Sequence, residues 1–325
     1  MVARARLVLT MISFRFHLVS LIAVFLAVGL GILVGSTVVD QVIVDRLDTE
    51  IRSVSHESNQ LKSDNSQLKD EVSKLEDFLR KSSAYALQQR LEAVPVAIVA
   101  DKGIDASAVN SVLASVRAAG ADVPGVLWLD DKWRLDSSKD LPALQSAAKL
   151  APGNVAASRL AALRELATRL ADPPAPRRSR SARDVIEPLR SAGFLDFSDG
   201  KGSSLAAFPV KPARVLVLTG TDSHLSATDT MVDFVQALLA AKVPTVLGEV
   251  YDAHGGSVSA PKRGASLEPV RGDPALAKQV TTLDDAELPQ GPLTAVIALE
   301  QIAEGRVGQY GFGEGASEAI PPLPS

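Results

Sequence analysis

Residues 94–129 read VPVAIVADKGIDASAVNSVLASVRAAGADVPGVLWL. Two patterns alternate in this stretch. An apolar run at 94–100 ends on Asp101, a helical stretch at 106–119 stops at Gly120, and a second apolar run fills 123–129. Short apolar runs on either side of a helix predict a strand–helix–strand unit, a parallel pair with both faces covered. The pattern recurs downstream. RVLVL at 214–218 leads into Thr219-Gly220-Thr221-Asp222, a helix is expected over 228–241, and strands are expected at 243–250 and at 293–299 (LTAVIAL). Residues 142–170, rich in Ala and Leu, read as helical. The expectation for residues 93–325 is an α/β domain, Rossmann-like with a mostly parallel sheet.

Two segments of that domain read as irregular. ADPPAPRRSRSARD at 171–184 is a Pro/Arg-rich loop. Arg177, Arg178, Arg180 and Arg183 suit a solvated connection, with anionic lipid or cell-wall polymer as the competing partner. The proline-rich tail at 320–325 reads as disordered.

Upstream, residues 18–39 (LVSLIAVFLAVGLGILVGSTVV) run without a charge. At 1.5 Å per residue these 22 residues span a hydrocarbon core roughly 30 Å thick. Arg4, Arg6 and Arg15 precede the run, and Asp40, Asp45 and Asp48 follow it. The positive-inside rule then places a cytoplasmic stub at 1–17 and everything beyond residue 40 outside the cell. The run is longer than a signal-peptide core, so an uncleaved single-pass anchor in the cell membrane is expected. Met11 offers a second plausible start. Ala23, Ala27, Gly31 and Gly35 recur every fourth residue, a small-residue stripe along which two helices can pack closely.

Between 40 and 92 there is neither proline nor glycine. With position a of a heptad at Val44, Ile51, Ser58, Asn65, Val72 and Leu79, position d reads Leu47, Val54, Leu61, Leu68, Leu75 and Ser82. This seam is aliphatic apart from Ser58, Asn65 and Ser82, which predicts an extracytoplasmic coiled coil and a parallel homodimer. Asn65 at an a site favours one register and two strands. The competing reading, one long amphipathic helix lying on its own domain, asks a narrow seam to cover a core. The rod would reach about 70–80 Å from the membrane.

Composition restricts the chemistry. The chain has 325 residues, no cysteine, three methionines and four histidines. Disulfide frameworks, thiolate metal sites and thiol nucleophiles are thereby excluded. A net charge of −4 argues against a nucleic-acid partner. Neither strand-to-helix turn carries GxGxxG, GxxxxGK[ST] or GxSxG. The Thr219–Ser223 turn is an ordinary loop with a phosphate cradle as its functional alternative. Of the soft or borderline metal ligands, only His224, Met231 and His254 lie beyond residue 93. Neither histidine has a second one at ligand spacing, so both read as exposed loop residues, and no catalytic residue or cofactor is evident.

Two stretches carry a resemblance. MISFRFHLVSLIAVFLAVGLGILVGS at 11–36 and GRVGQYGFGEGA at 305–316 resemble the opening and closing signatures of the actinobacterial copper-transport family MctB. TTLDD at 281–285, followed by LTAVIAL, is similar to the late strand region of that family. The resemblance implies a cell-envelope protein of copper efflux and copper homeostasis, with copper as its only implied metal. Gly308, Gln309, Tyr310, Gly311 and Gly313 form the core of the closing motif. Its glycines suit a folded loop packed on the sheet or offering a binding surface.

Architecture alone supports a second reading. One span, a coiled coil and a distal domain also describe a bitopic scaffold of cell division or cell-wall remodelling, whose coil recruits or activates a peptidoglycan hydrolase. Copper binding separates the first reading from the second, and septal localisation the second from the first.

Overall fold

The computed structural model describes residues 3–171, 184–199, 214–225, 230–252 and 261–322, with side chains omitted at 3–13, 36–45, 80 and 84. The chain divides into two compact units, Met1–Lys74 and Leu75–Ser325. Most of the 171–184 loop, residues 323–325 of the tail and His254 lie outside the described residues.

Helix α1 (Ala3–Ala86) runs without a break, as a proline-free sequence permits. Its apolar span is Phe14–Gly35, 22 residues with a mean hydropathy of 2.7 and no part buried, overlapping the run expected at 18–39. Past Ala86 the chain turns, and Leu87 and Leu91 enter the core. Helical structure therefore stops short of the expected boundary at 92.

The second unit is built on a seven-stranded sheet of order β3-β2-β1-β4-β5-β6-β7. Strands β1 (Val96–Asp101), β2 (Val126–Leu129), β4 (Arg214–Gly220), β5 (Thr245–Val250), β6 (Thr281–Leu283) and β7 (Gln309–Tyr310) run parallel to one another. Only β3 (Leu195–Ser198) is antiparallel, at the edge beside β2. The alternation of side chains along a strand divides the core in two. Ala97, Val99, Val215 and Val217 face one layer, with α4 (Val155–Ala171) and α6 (Val232–Ala240). Val96, Ile98, Leu216 and Leu218 face the other, with α2 (Ala106–Ala118) and α9 (Gly291–Ile302). Helix α2 begins where expected because the Asp105 carboxylate accepts the Ser107 N–H at 2.8 Å.

Two expectations need correction. The apolar run at 293–299 is not a strand but the middle of α9. That helix is buried from Pro292 to Ile302 almost all round, so its sequence shows no helical period, and only Pro292 in its first turn marks the start. The helical stretch at 142–170 is two helices, α3 (Asp140–Ala147) and α4, separated by Pro152 and Gly153. Short helices α5 (Ile186–Ser191), α7 (Glu268–Arg271) and α8 (Pro274–Ala277) complete the described set.

Candidate functional site

Parallel strands present the same ends to the same side, and ligands of open α/β sheets bind beyond their carboxyl ends. In this sheet that edge carries a row of polar groups at one level. Ala100 pairs with Leu218, so Asp101 and Thr219 are the next pair. Thr219 pairs with Glu249 directly. Gly248 pairs with Leu283, and Leu283 with Tyr310, which brings Asp284 and Gly311 to the same level. Asp101, Thr219, Glu249 and Asp284 are all buried.

Asp101 stands between β1 and β4, where the strand order reverses. Its Oδ2 accepts hydrogen bonds from Thr219 Oγ1 and Ser223 Oγ, each at 2.8 Å. Its Oδ1 is buried and has no hydrogen-bond partner among the described residues. Burial pushes this carboxyl up to about 7, against the two hydroxyl donors that lower it. The turn after β4 continues with the His224 N–H donating to the Lys102 carbonyl at 3.2 Å. The exposed His224 ring pairs through Nδ1 with Asp131 Oδ1 at 2.8 Å. Beside it, Lys102 bridges to Asp196 of β3 at 3.1 Å.

Further along the edge, the closing motif is tied to Asp284. Strand β7 adds Gln309 and Tyr310 to the sheet, and the following turn donates the N–H groups of Phe312 and Gly313 to the Asp284 carboxylate at 2.7–3.1 Å. Arg271 pairs with Asp284 at 2.7 Å. Its other donors reach Thr282 Oγ1 (2.8 Å), the Tyr310 carbonyl (2.7 Å) and the Glu314 carbonyl (3.0 Å). At Gly311, φ is +119° and a Cβ would collide with the Asp284 carboxylate, so only glycine fits there.

Two more carboxyls are perturbed here. Burial raises Glu249 to about 7, opposed first by the Gly264 N–H that donates to its Oε2 at 2.6 Å. Burial also raises Asp285 to about 6, opposed by Gln290 and reinforced by Asp284 and Glu287. Arg263 pairs with Glu287 at 2.6 Å and covers the Tyr251 ring at 4.6 Å. Three buried carboxyls of this edge, Asp101, Glu249 and Asp285, are thus raised toward neutrality by burial, while Arg271 and Arg263 pair with Asp284 and Glu287 at its far end.

The structure separates the expected metal ligands by environment. Met231 is enclosed in the apolar core, whereas His224 is exposed on a carboxylate. Among the described residues, no group of three or more His, Asp or Glu side chains is arranged to hold a metal ion. In the closing motif, Tyr310 is buried and Gln309 anchors it, donating to the Ala277 and Val280 carbonyls at 2.9 and 3.0 Å. Sequence reading missed Asp101, Glu249, Arg271 and Asp284 as a group, since the sequence separates them by up to 183 positions. The one available signal was that Asp101 ends an apolar run, with Glu249 as the lone charge in another.

Comparison with known proteins gives the chain relatives over nearly its full length. The family described as "Copper transport outer membrane protein, MctB" matches residues 11–321. Copper transporter MctB of Mycobacterium tuberculosis (strain H37Rv) is 27% identical over 319 residues, 94% of this chain and 98% of the relative. Copper transporter MctB of Mycobacterium leprae (strain TN) is 29% identical over 330 residues, 96% and 100% of the two chains.

Proposed function

The chain belongs to the MctB family, and from that membership we propose that it serves copper efflux and copper homeostasis at the cell envelope, as a membrane-anchored protein without enzymatic activity. The observation that carries this reading is the match over residues 11–321, which takes in the apolar helix, the sheet and the closing motif together. Phe14–Gly35 is the membrane anchor, the arginines before it lie in the cytoplasm, and the sheet domain lies outside the cell. The strand order, with its reversal between β1 and β4, supports a Rossmann-like domain.

Copper is the cargo. Imidazole suits copper, and His224 with Asp131 offers one nitrogen and one oxygen at the surface. We take that pair as the copper contact, in preference to the enclosed Met231.

The rod is a parallel homodimer in this reading. In the single chain Leu47, Ile51, Val54, Leu61, Leu68, Val72 and Leu75 are all exposed, Leu61 by 63%. An open stripe along the helix is lined by Val54, Leu61 and Asn65, with Glu57, Lys62 and Lys69 as its rims. In parallel pairing a g residue meets the e residue five positions on, so Glu57 faces Lys62 and Asp64 faces Lys69 across the seam. Antiparallel pairing would set lysine against lysine, which favours the parallel arrangement.

The test is deletion of the protein from its host, with cell-associated copper and copper tolerance measured. The expected result is copper accumulation and loss of tolerance, restored by the full chain but not by one lacking residues 14–35. Unchanged copper content and tolerance would overturn the proposal.

A further inference from the structure

At the junction of α1 with the sheet domain lies a groove of about 560 Å³. Apolar and small side chains make most of its walls, with Ser83 and Leu87 on one side, Ala114 and Ala118 of α2 on another, and Leu288 and Leu293 before and in the first turn of α9. The carboxylates of Glu76 and Glu287 and the hydroxyls of Ser111 and Ser115 also line it. The Ser83 hydroxyl is spent on its own helix, donating to the Leu79 carbonyl at 2.6 Å, so it offers the groove little polarity. On α1 itself, Phe78 is 64% exposed. Aromatic rings carry much of the energy of an interface where a partner surface receives them.

The heptad relates the two features. Phe78 occupies a g position and Ser83 the e position five residues on. In a parallel two-stranded coil, those positions of opposite helices lie side by side. The charge pattern changes at the same heptad. Glu57–Lys62 and Asp64–Lys69 attract across the seam, but the next such pair is Glu71 against Glu76, two like charges. The flanking charges stop attracting at that heptad, and an apolar contact beside the seam would take their place.

We propose that Phe78 of one protomer lodges in the groove beside Ser83 of its partner, so that each sheet domain is clamped to the other chain's helix. This rests on the parallel dimer proposed above and adds to it a defined anchor and its socket. The clamp fixes the orientation of the two sheet domains about the dimer axis.

The test uses the full-length chain in detergent micelles, with p-benzoylphenylalanine replacing Phe78 and an isotope-labelled unsubstituted chain mixed in. Irradiation is expected to join labelled to unlabelled chains, with the new bonds mapping to residues 83–87, 111–118 or 288–293. Ala114→Trp and Ala118→Leu, both at exposed positions that line the groove, are each expected to reduce that product to background. Leu61→Cys serves as the seam reporter, made clean by the absence of any other cysteine. If Leu61→Cys forms a disulfide dimer while Phe78 bonds only to its own chain or to the opposing helix, the socket is wrong and the dimer stands. If Leu61→Cys yields no dimer and sedimentation shows a monomer, the dimer reading fails, and the clamp with it.

Discussion

Arg271 holds Asp284 at 2.7 Å, with side-chain exposures of 3% and 0%. A charge pair this enclosed is held in place by its surroundings more than by its own attraction. Here the surroundings are the carbonyls of Tyr310 and Glu314 and the amides of Phe312 and Gly313, all from the closing motif. The glycine-rich signature at 308–313 is therefore the lining of a buried ion pair.

Replacing Arg271 by Ala leaves Asp284 buried without its cation. The expected cost is about 3–5 kcal/mol, read as a fall in Tm on the order of 10 °C for a domain of this size. Arg271→Lys should fall between, since one ammonium cannot serve all four acceptors. A change in Tm too small to resolve for Arg271→Ala would mean that the motif is held by something else.

Gly311→Ala should be more damaging than Gly305→Ala. Both positions have positive φ, but a Cβ at 305 meets open space and a Cβ at 311 meets the Asp284 carboxylate. Backbone strain alone costs about 1–3 kcal/mol. The excess at 311 isolates the collision. Equal losses at the two positions, measured by thermal unfolding, would remove the steric argument.

The raised carboxyls set the direction of the pH dependence. Asp101 and Glu249 sit near 7 in the folded chain, well above the ordinary carboxylate range they have when unfolded. The fold therefore binds more protons than the unfolded chain between those limits. Their contribution is present in full below about pH 4 and is lost as pH rises through about 7. Asp101→Asn cannot ionise, so its Tm should gain steadily on that of the parent as pH rises from 4 to 8, with the largest excess at pH 8. A parent Tm that rises from pH 5 to pH 8 by the same amount in both proteins would contradict the assignment.

The seam makes a prediction about assembly. Leu61→Lys with Leu68→Lys places four ammonium groups in the interface of a dimer. The full chain in micelles should then sediment as a monomer. An unchanged dimer would refute the a/d assignment from Val44 to Leu79.

For copper, calorimetry with the full chain is expected to show a heat of Cu(II) binding that His224→Ala abolishes and Met231→Leu leaves unchanged. The opposite pattern would move the contact into the core.

The sequence was most legible where burial is one-sided or where a side chain marks a boundary. Helix α2 has both, with a polar face and the Asp105 cap, and its expected and observed limits differ by one residue. Strands β1, β4 and β5 were legible as short apolar runs between turns. Helix α9 was misread because a segment enclosed on every side carries no period to distinguish helix from strand. Strand β3 went unseen, since four residues with Asp196 and Ser198 facing out look like any loop. The row of carboxyls was invisible for a different reason. Its members come together only through sheet register, and register is a property of strand pairing that no local pattern encodes.

Strand β7 also imposes an order on synthesis. It is delivered by the ribosome after every element it closes, so until residue 310 emerges the β6 edge is open and Asp284 lacks its amide donors. A chain cut near residue 305 would keep the other six strands of the sheet, with the β6 edge open and Asp284 without its amide donors. Loss of a few residues there would thus expose both a strand edge and a buried charge.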